Sequence, residues 1–302
     1  MVHFVQIMGC SQMLWRPVHP AVGTVHDLGL LVRPAEAAMF KPLDHLLLHL
    51  SYRGLTRLDA IMAISDFTRQ TVIERLHIPA ERVFRIYLGI DSERFKRVPD
   101  ARRQLQSRYS LPGEPSDCYL LYVGSELPRK NLATLLRALS LLPPSVRLLK
   151  VGSAGGDRFR AETERHLTEL GLVGRVTFVD HVPESDLPLF YSSADCYVCA
   201  SFLEGFGLPV LEAMACGVPI VCADAAALPE IAGDAALLAP PHDARAFAAA
   251  IQTLLADPAL GAALAARGRR RAAAFSWERT ARDVRSLYEH LVQRAAPLRQ
   301  SP

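Results

Sequence analysis

Cys196-Tyr-Val-Cys-Ala200, then Glu204-Gly-Phe-Gly-Leu-Pro-Val-Leu-Glu212, then Ala213-Met-Ala-Cys-Gly217-Val-Pro219: this run decides how the chain folds. Its first five residues read as a buried strand. Leu208 to Cys216 reads as a short apolar helix, closed by Gly217 near its C-cap. Gly205 and Gly207 let backbone come close to a ligand, and Pro209 suits a first helical turn. A helix N-terminus presents N–H groups that lack intrahelical acceptors, so the turn at Phe206 to Leu208 is a ready anion site. Glu204 stands in the loop and Glu212 a turn into the helix, where both can accept from hydroxyls flanking that anion. Both features also have a structural reading. A glutamate in a first turn is often a capping or dipole partner, and strand–glycine–helix turns occur throughout α/β proteins.

Outward from this unit the same alternation continues. Strands are predicted at Tyr119 to Gly124, Arg147 to Gly152, Val176 to Val179, Cys196 to Ala200, Val218 to Cys222 and Ala236 to Ala239. Helices are predicted at Leu132 to Leu142, Arg160 to Leu170, Glu184 to Tyr191, Leu208 to Cys216 and Ala244 to Leu255. Apolar strands separated by amphipathic helices predict a parallel sheet covered on both faces. Residues 118–274 therefore read as one doubly wound α/β domain. Gly124, Gly152 and Glu204 each follow a strand end, where such sheets bind ligands. Residues 1–97 show only Ala21 to Val25, Ala60 to Ile64 and Val83 to Leu88 as strands, about half of such a sheet. The charged, proline-bounded stretch 98–117 reads as a linker.

Bulk properties narrow the classes. Half of the 302 residues are hydrophobic and 22% are charged, which fits a globular protein of one large or two modest domains. The net charge of +3 is small, and Arg267 with Arg269 to Arg271 on an alanine-rich helix reads as a solvated face, so no nucleic-acid partner is expected. Six cysteines form no disulfide framework at this length, so a reducing, cytoplasmic location is expected. Cys196-x-x-Cys199 has no second pair and reads as core packing. Met8-Gly-Cys10 lacks the basic and apolar stretches of a lipoprotein signal. No apolar run reaches membrane-spanning length. Leu43 to Leu50, with Arg53 and Arg57 nearby, supports at most a weak peripheral contact at the inner face of an anionic membrane. The chain has four lysines against thirty arginines and a single asparagine, so composition does not explain Lys130 beside Asn131. Asn131 is expected to N-cap the helix that follows.

Glu204-x7-Glu212 resembles the donor-site motif of retaining glycosyltransferases with the two-domain GT-B fold, specifically family 4. Four further segments match in order: Thr24-Val-His26-Asp-Leu28, Ala63-Ile-Ser65-Asp-Phe-Thr68, Ile86-Tyr-Leu-Gly89-Ile-Asp91 with Phe95, and Tyr122-Val-Gly124-Ser-Glu-Leu-Pro128-Arg-Lys130-Asn131. The tail Phe275-Ser-Trp277-Glu-Arg-Thr280 is similar to the family's closing helix. The resemblance covers nearly the whole chain. It implies two Rossmann-like doubly wound domains, the first incomplete, with residues 275–302 returning to the first as a helix. It also implies that roughly 90 further residues of strand and helix precede His26 in the family, so a misassigned start or a truncation is expected.

Sugar transfer from a nucleoside diphosphate leaves negative charge on the departing group. The resemblance assigns Lys130 as the main phosphate cation. The family often places a second cation where this chain has Ser125, which is assigned to donor binding by a hydrogen bond without charge, so Arg129 compensates or the site is weaker, and the alternative for Arg129 is a surface charge. Glu212 is assigned to the ribose hydroxyls and Glu204 to the sugar. Gly205, Phe206, Gly207 and Leu208 are assigned to the phosphates or sugar. His26, in the other domain, is assigned to the sugar across the cleft. Asp27 reads as a turn residue and Ser65 as an N-cap. No Asp-x-Asp pair occurs, so no metal and no other cofactor is expected, and the nucleotide-sugar is a substrate.

The implied function is transfer of a hexose, with retention, to a glycan or lipid-linked acceptor. Pro-Arg-Lys-Asn is similar to the mannosyltransferase-like branch, which puts GDP-mannose first as donor, before UDP-glucose or UDP-N-acetylglucosamine. The rival reading is a non-catalytic nucleotide-sugar-binding partner subunit or truncated pseudo-transferase. A nucleotide-sugar epimerase fits the motifs poorly.

Overall fold

Strand runs such as Tyr119-Leu-Leu-Tyr122 are buried at every position, so neither of their faces can be left to water. Such strands suit only the inside of a parallel sheet with both faces covered. The computed structural model describes residues 1–33, 41–109, 111, 114 and 116–295. These divide into two compact units. One comprises Met1–Gly89 with the segment from Phe275 onward, and the other Ile90–Ala274.

The first unit holds a parallel sheet in the order β1 (Val2–Phe4), β2 (Ala21–Val25), β3 (Ala60–Ala63), β4 (Val83–Arg85). Strand β1 was not expected. Its three residues are too few to show a period, and only pairing of Val2 with Ala21 and Phe4 with Gly23 makes them a strand. The core of this unit gathers Cys10, Met13, Val25, Leu28, Leu55, Leu58, Ile61 and Val72. On the helix Pro42–Leu55, Ser51, Tyr52, Gly54 and Leu55 are buried, while Leu43, Leu46 and Leu47 are exposed. The last helix, Trp277–Ala295, belongs to this unit. Thr280 Oγ1 donates to Tyr87 O at 2.7 Å, and the Tyr87 and Phe275 rings lie 5.2 Å apart. Gly89 permits that docking, because a Cβ there would lie 2.2 Å from Trp277 N.

The second unit holds the six parallel strands β5 (Cys118–Val123), β6 (Val146–Val151), β7 (Val176–Val179), β8 (Cys196–Cys199), β9 (Ile220–Ala223) and β10 (Leu237–Ala239). Their spatial order is β7-β6-β5-β8-β9-β10. The chain thus winds outward from β5 in one direction and then from β8 in the other, and the direction of winding reverses between those two strands. The helix Leu187–Ser193 starts later than expected, because Pro188 is accommodated in a first turn.

Two boundaries differ from expectation. Residues 90–97 cluster with the second unit, where Arg94 Nη1 meets Glu184 Oε2 at 2.7 Å and the Phe95 ring lies 6.3 Å from Tyr191. Stretch 98–117, expected as a linker, contains the helix Ala101–Tyr109. Only Ala101 and Leu105 of that helix are buried, four residues apart, so its arginines hid a narrow apolar stripe. The Tyr109 hydroxyl anchors it, donating to Asp186 at 2.7 Å. Residues 110, 112, 113 and 115 of that stretch, and 296–302 of the tail, lie outside the described residues.

Candidate active site

The reversal between β5 and β8 leaves their carboxyl ends side by side, with a loop departing from each. The loop after β5 runs through Ser125 into a short 3₁₀ turn, Pro128–Lys130, whose N1 proline has the φ such a turn needs. The loop after β8 runs from Ala200 to Gly207 and enters the helix Leu208–Ala215. Gly207 is the N-cap at φ +100°, where a side chain would be strained, and a Cβ there would meet Leu228 Cδ2 at 3.1 Å. The far end closes as a Schellman turn. Val218 N–H donates to Ala213 O at 3.1 Å and Gly217 N–H to Met214 O at 3.0 Å, with Gly217 at φ +69°. Eight residues are thereby held as a rigid helix at the switch point.

These loops bring Lys130 and Glu204 together. Lys130 Nζ donates to Glu204 Oε1 at 2.7 Å, and the two side chains are only 15% and 10% exposed. Ser201 Oγ donates to the same oxygen at 2.7 Å. Glu204 Oε2 accepts no hydrogen bond among the described residues, which leaves it open to a hydroxyl. The Arg129 side chain, next to Lys130, has no hydrogen-bond or ion-pair partner among the described residues. The N–H groups of Gly207 and Leu208 likewise have no acceptor among them. Glu204 is thus paired with one cation, Lys130, with Arg129 next to that lysine in the chain and a helix N-terminus opening three residues after Glu204. Phe206 is buried. Ser125 offers its carbonyl inward, to the Tyr122 hydroxyl at 2.6 Å.

Glu212, one turn into the helix, is held differently. Its Oε2 accepts from the Tyr191 hydroxyl at 2.6 Å, and Tyr191 is fully buried against Tyr197 and Phe95. Burial pushes the Glu212 carboxyl above the usual range, against the opposing pull of the Tyr191 hydrogen bond. Oε1 has no partner among the described residues.

His26 follows β2 in the first unit, exposed, with Nε2 3.3 Å from Val5 O. Thr68 Oγ1 donates to the His26 carbonyl at 3.4 Å, so the first two matched motifs meet within that unit. Ser65 caps its helix, accepting from Thr68 N–H at 3.0 Å, and Asp27 closes a turn by accepting from Gly29 N–H at 2.9 Å.

Asn131 departs from expectation. It stands at the N-cap position, but in the left-handed region at φ +55° and with no side-chain capping bond. Its amide donates instead to Ala200 O at 2.8 Å and Pro241 O at 2.7 Å. With the Phe202 N–H donating to Arg129 O at 2.8 Å, this ties the two site loops together. Sequence reasoning missed Ser201 and Tyr191. Ser201 could have been noticed three residues before Glu204, whereas nothing local connects Tyr191 to Glu212. Among the described residues no group of three or more His, Cys, Asp or Glu side chains is placed to hold a metal ion.

Two family models divide the chain between them: Glycosyltransferase Family 4 matches residues 2–94 and Glycosyl transferases group 1 matches residues 107–271. The chain is a family 4 glycosyltransferase. It has the GT-B fold and is mannosyltransferase-like. O-antigen chain mannosyltransferase B of Escherichia coli is 35% identical over 275 residues, covering 90% of this chain and 70% of that protein. Serotype-specific mannosyltransferase WbdA of Escherichia coli is 33% identical over 236 residues, 74% of this chain, which spans only 28% of that longer protein. Sucrose-phosphate synthase from Thermosynechococcus elongatus superposes with a TM-score of 0.83 at 31% identity, over 97% of this glycosyltransferase and 74% of that one. HepE of Anabaena in complex with UDP-glucose gives 0.80 at 23% identity over 94% and 75% of the two chains, a likeness of fold.

Proposed function

We infer that this glycosyltransferase moves a hexose, GDP-mannose being the first donor to test, from a nucleotide-sugar to a glycan or lipid-linked acceptor with retention of configuration. The observation that carries this is the Lys130–Glu204 ion pair at the switch point of the second sheet, 2.7 Å long and flanked by Arg129 and a helix N-terminus. The mannosyltransferase relatives favour mannose, and a UDP-glucose complex on the same fold favours a nucleotide-sugar.

On this reading the diphosphate takes the place of the Glu204 carboxylate as partner of Lys130 and also engages Arg129. Glu204, still tethered by Ser201, then accepts from sugar hydroxyls and faces the positive charge that develops at the anomeric carbon. Glu212 accepts from the ribose through Oε1 while Tyr191 holds Oε2. The bond from the anomeric carbon to the phosphate oxygen breaks as the bond to the acceptor oxygen forms on the same face, and the acceptor's proton passes to the departing phosphate. Lys130, Arg129 and the Gly207 and Leu208 N–H groups balance the charge left on that phosphate without a metal. His26 is assigned to the sugar.

Calorimetric titration with GDP, UDP and ADP, without added metal, is the test, followed by proton NMR of product formed from the matching sugar donor. Saturable binding of one nucleotide and an anomer matching the donor's support the reading. Binding of none, or an inverted anomer, overturns it.

A further inference from the structure

The middle of a buried strand is a poor place for a lysine, yet β6 has one. Lys150 is 0% exposed, between Leu149 and Val151, in a chain that uses lysine only four times. Its ammonium donates to Glu126 Oε1 at 3.0 Å, to Ser153 O at 3.1 Å and to Gly152 O. Three N–H bonds meet three acceptors, so none is left over. The Glu126 side chain is also 0% exposed. The same Oε1 accepts from Arg160 Nε at 3.0 Å and Nη2 at 2.8 Å, and Arg160 pairs onward with Asp180. Burial pushes the Glu126 carboxyl up, and hydrogen bonding, from Arg160 foremost, more than reverses it, so the group lies below its usual range and is ionised.

Such a cluster is a poor means of stabilising a fold. Buried ion pairs are often no better than apolar side chains of the same volume. Here Glu126 Oε2 is, in addition, buried with no hydrogen-bond partner, which carries its own penalty. Its distinctive effect is geometric. Lys150 grips two carbonyls of the loop after β6, and Glu126 sits in the loop after β5. Glu126 N–H donates to Ala154 O at 3.0 Å, a second tie between the same loops. A Cβ on Gly152 would lie 3.0 Å from Gly124 O, so the two loops run in contact. Glu126 is four residues ahead of Lys130, whose own N–H closes on Leu127 O at 2.8 Å. A shift at Glu126 is therefore carried into the turn that presents Arg129 and Lys130.

We propose that Lys150 is a positioning residue for the phosphate-binding turn: through Glu126 it fixes the loop after β5 to the loop after β6, and so sets where Arg129 and Lys130 stand. The site's ligand rests on the nucleotide-sugar reading above; the locking of the loops does not.

The test uses the full chain with Lys150→Met, with Glu126→Gln, and with the double variant Lys150→Met/Glu126→Gln. Thermal unfolding, calorimetry with GDP and UDP, and amide hydrogen exchange are followed together. Lys150→Met leaves two carboxylates against one guanidinium, so its melting temperature falls. The double variant restores the charge balance and should recover most of that fall. If Lys150 positions the turn, nucleotide affinity in the double variant stays down by about tenfold, and amides 124–131 and 152–154 still exchange faster than in the wild type. Glu126→Gln alone strands the buried Lys150 ammonium without its carboxylate, so its melting temperature should fall as well, with affinity and exchange changed in the same direction. Affinity and exchange that return together with the melting temperature would reduce Lys150 to a charge-balancing role and overturn the proposal. If the wild type binds no nucleotide, the donor reading fails, and exchange at those amides alone decides the positioning claim.

Discussion

Replacing Lys130 by methionine keeps the length of the side chain and removes its charge. Glu204, buried beside it, then keeps only the Ser201 hydroxyl as a hydrogen-bond donor. An exposed ion pair is worth at most about 1 kcal/mol. Removing one partner of a buried pair costs about 3–5 kcal/mol, and side-chain exposures of 15% and 10% place this pair near that regime. The expected destabilisation is therefore about 2–3.5 kcal/mol. Adding Glu204→Gln removes the stranded charge and should return most of it, giving a coupling of about 1.5–3 kcal/mol. Urea unfolding of wild type, both single variants and the double variant measures the cycle. A coupling below about 0.5 kcal/mol would show that the pair is not a built feature of the site and would remove the observation on which the functional reading stands.

Glu212→Gln should raise stability and weaken binding at once. A buried carboxyl whose folded value is raised contributes stability that is present at low pH and lost as pH rises from the ordinary carboxylate range through the raised value. The amide escapes that loss, so thermal scans should show a higher melting temperature at pH 7 and a flatter pH dependence, with GDP affinity reduced roughly tenfold by loss of a charged acceptor. His26→Ala should cut transfer strongly while leaving nucleotide affinity nearly intact; a large loss of affinity by calorimetry would contradict the division of roles between the units. Asn131→Ala strands two backbone carbonyls and should destabilise by about 2–3 kcal/mol, read by urea unfolding, while a capping role alone would cost about 1 kcal/mol.

Much of the second unit was legible, because a parallel strand buried on both faces leaves an uninterrupted apolar run and its helices repeat at 3.6 residues. Val176–Val179 begins and ends as expected, and Cys196–Cys199 and Leu208–Ala215 each end one residue early. The failures have particular causes. Strand β1 is too short to carry a period, and the helix Ala101–Tyr109 buries just two residues of nine, so its charges read as linker. Asn131 was expected to cap because it precedes a helix; its left-handed backbone turns the amide toward Ala200 and Pro241 instead.

The sequence by itself determined the residue types of the site and their order. Glycine is required at Gly207, cations at Arg129 and Lys130, and carboxylates eight positions apart at Glu204 and Glu212. These needs are local, because a positive φ, a charge or a helix start is a property of a few adjacent residues. Tertiary structure decided which of them meet. Lys130 and Glu204 are 74 positions apart and share an ion pair because the sheet order places β8 beside β5. Lys150 reaches Glu126 because β6 lies beside β5, and Tyr191 reaches Glu212 because the helices Leu187–Ser193 and Leu208–Ala215 pack together. Contacts across a sheet depend on strand order and register, which are set by packing of the whole unit and leave no trace in any one segment.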